Sequence, residues 1–122
     1  MPEPVRRTHE ERLIERYFDA FNRHDVDGVV ACLDPDIVLV SPDGSRVVGL
    51  DAARDRYAQE FASMPDAHCE LRLATGHDGH GVAESLFGAT VDGRPIRAIG
   101  AEVMEFANGV IAEIRDYHQI LE

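Results

Sequence analysis

From His68 onward the apolar residues of this chain recur mostly at every second position, in four runs punctuated by glycine-bearing turns. A period of two belongs to a pleated strand, whose successive side chains point to opposite faces. The runs are His68 to Thr75, Gly81 to Thr90, Pro95 to Phe106 and Val110 to Ile120, joined through Gly76 to His80, Val91-Asp92-Gly93 and Ala107-Asn108-Gly109. Asp-Gly and Asn-Gly suit the two-residue hairpin turn, in which both central residues need positive φ. The second half is therefore committed to an antiparallel meander, and the first half must cover one of its faces.

The first half is patterned to do so. Thr8-His9-Glu10-Glu11 has capping-box spacing, and Leu13, Ile14, Tyr17, Phe18 and Phe21 follow at intervals that share one helix face. That helix should end near Asn22 to His24. Asp25 can cap a short second helix with Val26, Val29, Val30 and Leu33 inward and Pro35 as its stop. Asp36 to Ser41 reads as a strand, Pro42-Asp43-Gly44 as a turn and Arg46 to Val48 as a short partner. A third helix from about Asp51 buries Ala53, Tyr57, Phe61 and Met64 and ends at Pro65. The expectation is one α+β domain over residues 1–122, with residues 1–7 as an N-terminal arm.

Composition narrows the partners. With 23 Asp and Glu against 12 Lys and Arg, the formal net charge is -11. Such a surface repels phosphate backbones and anionic lipid, so neither nucleic acid nor a membrane is expected as a partner. No apolar run approaches the ~20 residues of a membrane-spanning helix. Met1-Pro2-Glu3-Pro4-Val5-Arg6-Arg7 leads into a charged helix rather than an apolar signal segment, which points to the cytoplasm. Cys32 and Cys69 lack metal-ligand spacing and read as small packed hydrophobes. His77-Asp78-Gly79-His80 reads as a solvated hairpin, because metal ligands must converge from fixed directions. Neither a metal nor a dissociable cofactor is expected.

Candidate chemistry lies on the last two strands. In the run from Val110 to Ile120, one face carries Val110, Ala112, Ile114, Asp116, His118 and Ile120, and the other Ile111, Glu113, Arg115, Tyr117 and Gln119. An acid and an imidazole interrupt the apolar face, and burying them unpaired would cost free energy. A carboxylate two residues from an imidazole can orient it, or be kept ionised by it. On the preceding strand Glu102 is the single polar residue among Ile96, Ala98, Gly100, Met104 and Phe106; burial would raise its pKa and leave it a hydrogen-bond donor. Each of these also fits a structural role, as does Tyr17 on the first helix.

Three segments carry a family resemblance: Arg16-Tyr17-Phe18-Asp19-Ala20-Phe21-Asn22-Arg23-His24-Asp25-Val26-Asp27-Gly28, Gly49-Leu50-Asp51-Ala52-Ala53-Arg54, and Asn108 through Tyr117. Together they resemble the SnoaL-like polyketide cyclases of the NTF2-like superfamily, with limonene epoxide hydrolase and ketosteroid isomerase as more distant relatives. The resemblance implies a cone in which three N-terminal helices pack on a strongly curved, mainly antiparallel sheet around a pocket. It implies a lining of Phe18, Phe21, Leu39, Ser41, Tyr57, Phe61, Met104 and Ile114. Arg115-Asp116-Tyr117 resembles the epoxide-hydrolase segment whose aspartate helps activate water, and a strand aspartate in the cyclases is a general base. The hydrolases' Arg-x-Asp pair falls on Ala83 and Ser85, and their water-binding tyrosine and asparagine on Leu39 and Ser41, which disfavours epoxide hydrolysis here. Tyr17 matches the isomerase tyrosine, Glu102 falls near its oxyanion-hole acid, and Ser41 falls on its base, so a base must come from elsewhere.

The expectation is an acid–base enzyme acting on a compact, largely apolar, oxygenated small molecule by isomerisation, cyclisation or elimination, with Asp116 as base, His118 orienting it, and Tyr17 or Glu102 as donor. The alternative is a non-catalytic ligand-binding or dimerisation domain with the same fold. An open cavity favours the enzyme, and one filled by Met104, Phe106, Phe18 and Phe21 favours the binder. A homodimer is expected through an outer sheet face bearing Ile99, Ala101, Val103 and Phe87.

Overall fold

The computed structural model describes residues 7–121. The expected N-terminal arm, Arg7 apart, lies outside the described residues. In chain order the elements are α1 (His9–Asn22), α2 (Val26–Val30), β1 (Leu33–Val40), β2 (Arg46–Val48), α3 (Leu50–Ser63), β3 (His68–His77), β4 (His80–Val91), β5 (Arg94–Ala107) and β6 (Val110–Leu121). One sheet holds all six strands in the order β2-β1-β6-β5-β4-β3. Only the β1–β6 pairing is parallel.

Local chemistry explains the boundaries. The capping box closes α1, with the Glu11 amide donating to Thr8 Oγ1 and the Thr8 amide to Glu11 Oε1. Asp25 caps α2 by accepting from the Gly28 amide. The three hairpins that join β3 to β6 each turn on a two-residue loop with both residues at positive φ: Asp78-Gly79 at 54° and 84°, Asp92-Gly93 at 52° and 75°, Asn108-Gly109 at 55° and 79°. The first is tighter than the sequence suggests, because β3 and β4 run on to His77 and His80 and absorb most of the anticipated connection.

Four expectations need correction. Helix α2 stops at Val30, and Pro35 lies inside β1 rather than at the end of a helix. The β1–β6 register slips between Leu33 and Val38, so the prolyl residue occupies an irregularity where its missing N–H is tolerated. Helix α3 follows β1 and β2, so the helices do not all precede the sheet. The sheet is not strongly curled; α1 and α3 lie across one face and close off the space between. Finally, β6 does not alternate without break. Opposite Glu105 and Phe106 stand Glu113 and Ile111, leaving Ala112 as an extra residue, and this bulge turns both Ile111 and Ile114 into the core.

One apolar cluster holds the layers together. Leu13, Ile14, Phe18 and Phe21 of α1 meet Ala83, Met104, Ile111 and Ile114 of the sheet and Tyr57 and Phe61 of α3. The sheet's other face is uncovered, with Leu73, Val82, Ile99 and Tyr117 at 54%, 36%, 39% and 55% exposure. Phe87 does not belong to that outer face: it lies in the same alternate row as the buried Ala83 and Ser85, packs against the core and lines the cavity. No described helix is long and apolar enough to cross a membrane.

Candidate functional site

A cavity of about 260 Å3 lies between α1, α3 and the covered face of the sheet. Its floor is built by alternation: Ser85 and Phe87 from β4, then Ile96, Ala98, Gly100 and Glu102 from β5, then Ile114, Asp116, His118 and Ile120 from β6. Glu102 pairs in register with Asp116, and Gly100 with His118, so the ionisable groups occupy adjacent strands. A Cβ at position 100 would stand 2.9 Å from both the His118 Cβ and the Tyr117 carbonyl oxygen; glycine leaves room for the imidazole. Ile120, also on the lining, is 58% exposed.

The four candidate catalytic residues surround this one cavity, at different depths. Asp116 and His118 stand toward solvent, with side chains 39% and 40% exposed and the Asp116 Oδ2 to His118 Nδ1 separation at 3.0 Å. Asp116 is therefore hydrated as well as paired, and the burial penalty read from its apolar strand face does not apply. Glu102 lies deeper. Its Oε2 is buried with no hydrogen-bond partner, and burial, reinforced by the charges of Asp116 and Glu60, pushes its carboxyl up to about 8. Below that pH it is a neutral acid able to donate. Tyr17 faces it from α1, its hydroxyl 2.5 Å from that of Tyr57 on α3. Burial holds both phenols well above the usual tyrosine range, so the pair stays protonated.

Of the expected lining, Phe18, Phe21, Leu39, Ser41, Tyr57 and Ile114 border the cavity, while Phe61 and Met104 do not. Phe61 sits one helical turn beyond Tyr57 and turns toward α1, against Phe21 and stacked on His24 with ring centroids 4.4 Å apart. Met104 is fully buried where α1 presses on the sheet: it pairs with Gly81, over which the Ile14 side chain lies. The sequence reading missed Glu60 and Arg56 of α3, both of which reach the cavity. Burial raises the Glu60 carboxyl, opposed by Arg56 and assisted by Asp116. The available signal was the stripe Ala53, Tyr57, Glu60, Met64, which carries one acid at helical spacing on an inward face.

Cys32 and Cys69 are free and buried, and burial pushes the Cys69 thiol up to about 12, which removes it as a nucleophile. His77 to His80 forms the first hairpin, and among the described residues no group of three or more His, Cys, Asp or Glu converges as a metal site.

The family model for the SnoaL-like domain matches residues 14–114. The chain belongs to the SnoaL-like domain family. No curated protein matches the sequence. Among solved structures, this SnoaL-like chain is similar to a putative SnoaL-like polyketide cyclase from Jannaschia sp. CCS1, at 15% identity and a TM-score of 0.83 over 98% of this chain and 91% of that one. A limonene-epoxide-hydrolase-like enzyme of M. tuberculosis matches at 19% identity and a TM-score of 0.82, over 93% and 84% of the two chains. An NTF2-like protein of unknown function from Burkholderia pseudomallei K96243 matches at 22% identity and a TM-score of 0.80, over 92% of each. At such identities the likeness speaks for the fold, which is NTF2-like.

Proposed function

We propose that this SnoaL-like protein is an acid–base enzyme that shifts a proton next to a carbonyl in a compact, largely apolar substrate, leading to isomerisation, cyclisation or elimination. The observation that carries this reading is the pairing, across one open cavity, of a hydrated carboxylate with a neutral carboxylic acid. Asp116 takes the proton, and His118, 3.0 Å away, fixes its orientation. Glu102 and the Tyr17–Tyr57 hydroxyl pair donate to the enolate oxygen as negative charge develops there. An environment that holds one of two neighbouring carboxyl groups protonated leaves that group able to serve as the acid of the site.

Three observations favour this chemistry over its competitors. The cavity is open: Phe18 and Phe21 stand on its wall and Met104 and Phe106 lie outside it, which supports the enzyme reading over a non-catalytic domain with a filled interior. Ala83 is wholly buried and Ser85 supplies only a hydroxyl, so no Arg-x-Asp pair stands at those positions to activate water for epoxide opening. Ser41, on the wall, cannot accept a proton at neutral pH. The working form is a homodimer closed over the outer sheet face, where Leu73, Val82, Ile99 and Tyr117 stand exposed.

The test is α-proton exchange. The protein is incubated in deuterated buffer with a panel of small cyclic ketones and β-keto esters, and deuterium uptake is followed by NMR. Exchange above the buffer rate supports the reading; exchange at the buffer rate for every ketone that demonstrably binds contradicts it.

A further inference from the structure

We infer that the cavity takes a compact ligand carrying a positively charged nitrogen, a protonated amine or alkylammonium, seated between the aromatic wall and the three acids Glu60, Glu102 and Asp116. The inference rests on the reading above only in taking this cavity as the substrate site, and it names the substrate class: an oxygenated compound that is also an amine.

The first ground is the balance of charge on the wall. Three acids reach the cavity from three elements, Glu60 from α3, Glu102 from β5 and Asp116 from β6. Against them the lining offers one guanidinium, Arg56, on an exposed residue where water competes for it, and the His118 ring, already engaged with Asp116. The carboxylates feel each other: Asp116 acts on both Glu60 and Glu102, and Glu60 on Glu102, each charge making the next harder to form. A cation in their midst offsets the repulsion between the Glu60 and Asp116 carboxylates and favours ionisation of Glu102. A carboxylate or phosphate ligand would add to them.

The second ground is independent of that charge count. Glu102 lines the cavity, and its Oε2 is buried with no hydrogen-bond partner among the described residues. A buried polar atom left unmatched costs free energy that a hydrogen-bond donor on a ligand, an ammonium N–H or a hydroxyl, would recover. The third is the surrounding wall. Tyr17, Phe18, Phe21, Tyr57 and Phe87 all line the cavity, and aromatic walls suit an alkylated ammonium, which ring π-systems attract. An uncharged ligand of the same shape would satisfy the rings but leave the carboxylates opposed. In the catalytic setting the positive nitrogen would also make a neighbouring carbonyl's α-proton easier for Asp116 to remove.

The experiment compares choline with 3,3-dimethylbutan-1-ol, which has the same shape and no charge, by titration calorimetry at low salt. Choline is expected to bind at least ~10-fold more tightly, and Glu60→Gln and Asp116→Asn, each of which removes a carboxylate from the wall, are each expected to shrink that preference to about 3-fold or less. Two variants are used so that a folding defect in one leaves the other informative. Equal or tighter binding of the alcohol, no binding of either compound at millimolar concentration, or an undiminished preference in both variants would overturn the inference. Because binding is read without turnover, the two proposals fail separately. Preference for the alcohol with ketone exchange intact removes this one alone; preference for choline with no ketone exchange removes the catalytic reading alone.

Discussion

Glu102 stands between Gly100 and Met104 on the covered row of β5, where little water reaches its carboxyl and its neighbours are other acids. If its protonated form donates to the enolate, kcat/KM falls as pH rises through about 8, and Glu102→Gln, which cannot ionise, shows no such fall. Stability follows the same group. Its folded value is raised from 4.5 to about 8, so between these pH values the unfolded chain ionises first and stability declines with rising pH, levelling off above about 8. Urea melts at pH 5 and pH 8 should show Glu102→Gln losing less stability than the parent over this range, with an advantage of ~2 kcal/mol at pH 8; parallel losses in both proteins would contradict the assignment. Tyr17→Phe should lower turnover by ~10-fold or more while shifting Tm by only a few degrees, since it removes one hydroxyl from a pair. A Tm loss without a turnover loss would return Tyr17 to the core. The shared face of Asp116 and His118 was legible because alternation assigns faces, whereas the face of Glu102 was not, because Ile99, Ala101 and Val103 make the opposite face of β5 apolar as well. The depths of all three were not legible either, because depth depends on where α1 and α3 stop covering the sheet.

At the scale of elements, caps and turns were legible because each is settled within a few residues: Thr8 with Glu11, Asp25 with Gly28, and the three glycine turns. The irregularities were not. The extra residue at Ala112 and the slip around Pro35 are properties of a strand and its partner together, and each moves side chains to a face that strict alternation would not give them. The clamp between α1 and β3 was equally hidden, since it joins residues 47 apart: Asn22 Nδ2 donates to the Cys69 carbonyl at 2.9 Å, and the Cys69 amide donates to Asn22 Oδ1 at 2.6 Å. It takes the place of a neighbouring strand at that point on the edge of β3, and Cys69 is itself a lining residue. Asn22→Ala should cost ~1–3 kcal/mol in chemical denaturation, with faster amide exchange at the start of β3. An unchanged midpoint and unchanged exchange would show the clamp to be dispensable.

The whole molecule divides its sheet between two tasks: one face holds the cavity under α1 and α3, and the other lies bare with an apolar centre flanked by charges such as Arg115, paired with Glu105 and Glu113. Sedimentation should find a dimer at micromolar concentration, and Ile99→Lys, which places a charge in that centre, should shift it toward monomer; a monomeric parent would remove the assembly from the account. The fold class could be read from the sequence because a change of hydrophobic period survives any detail of packing, whereas the cavity's acidity could not, since it is assembled from α3, β5 and β6 only when the chain closes. The role of Asp116 as base is tested by deuterium exchange into a bound ketone, compared between the parent and Asp116→Asn. The account predicts a fall in exchange rate of ~100-fold or more with the ketone's dissociation constant changed by less than about 3-fold; an exchange rate that survives the substitution would contradict it.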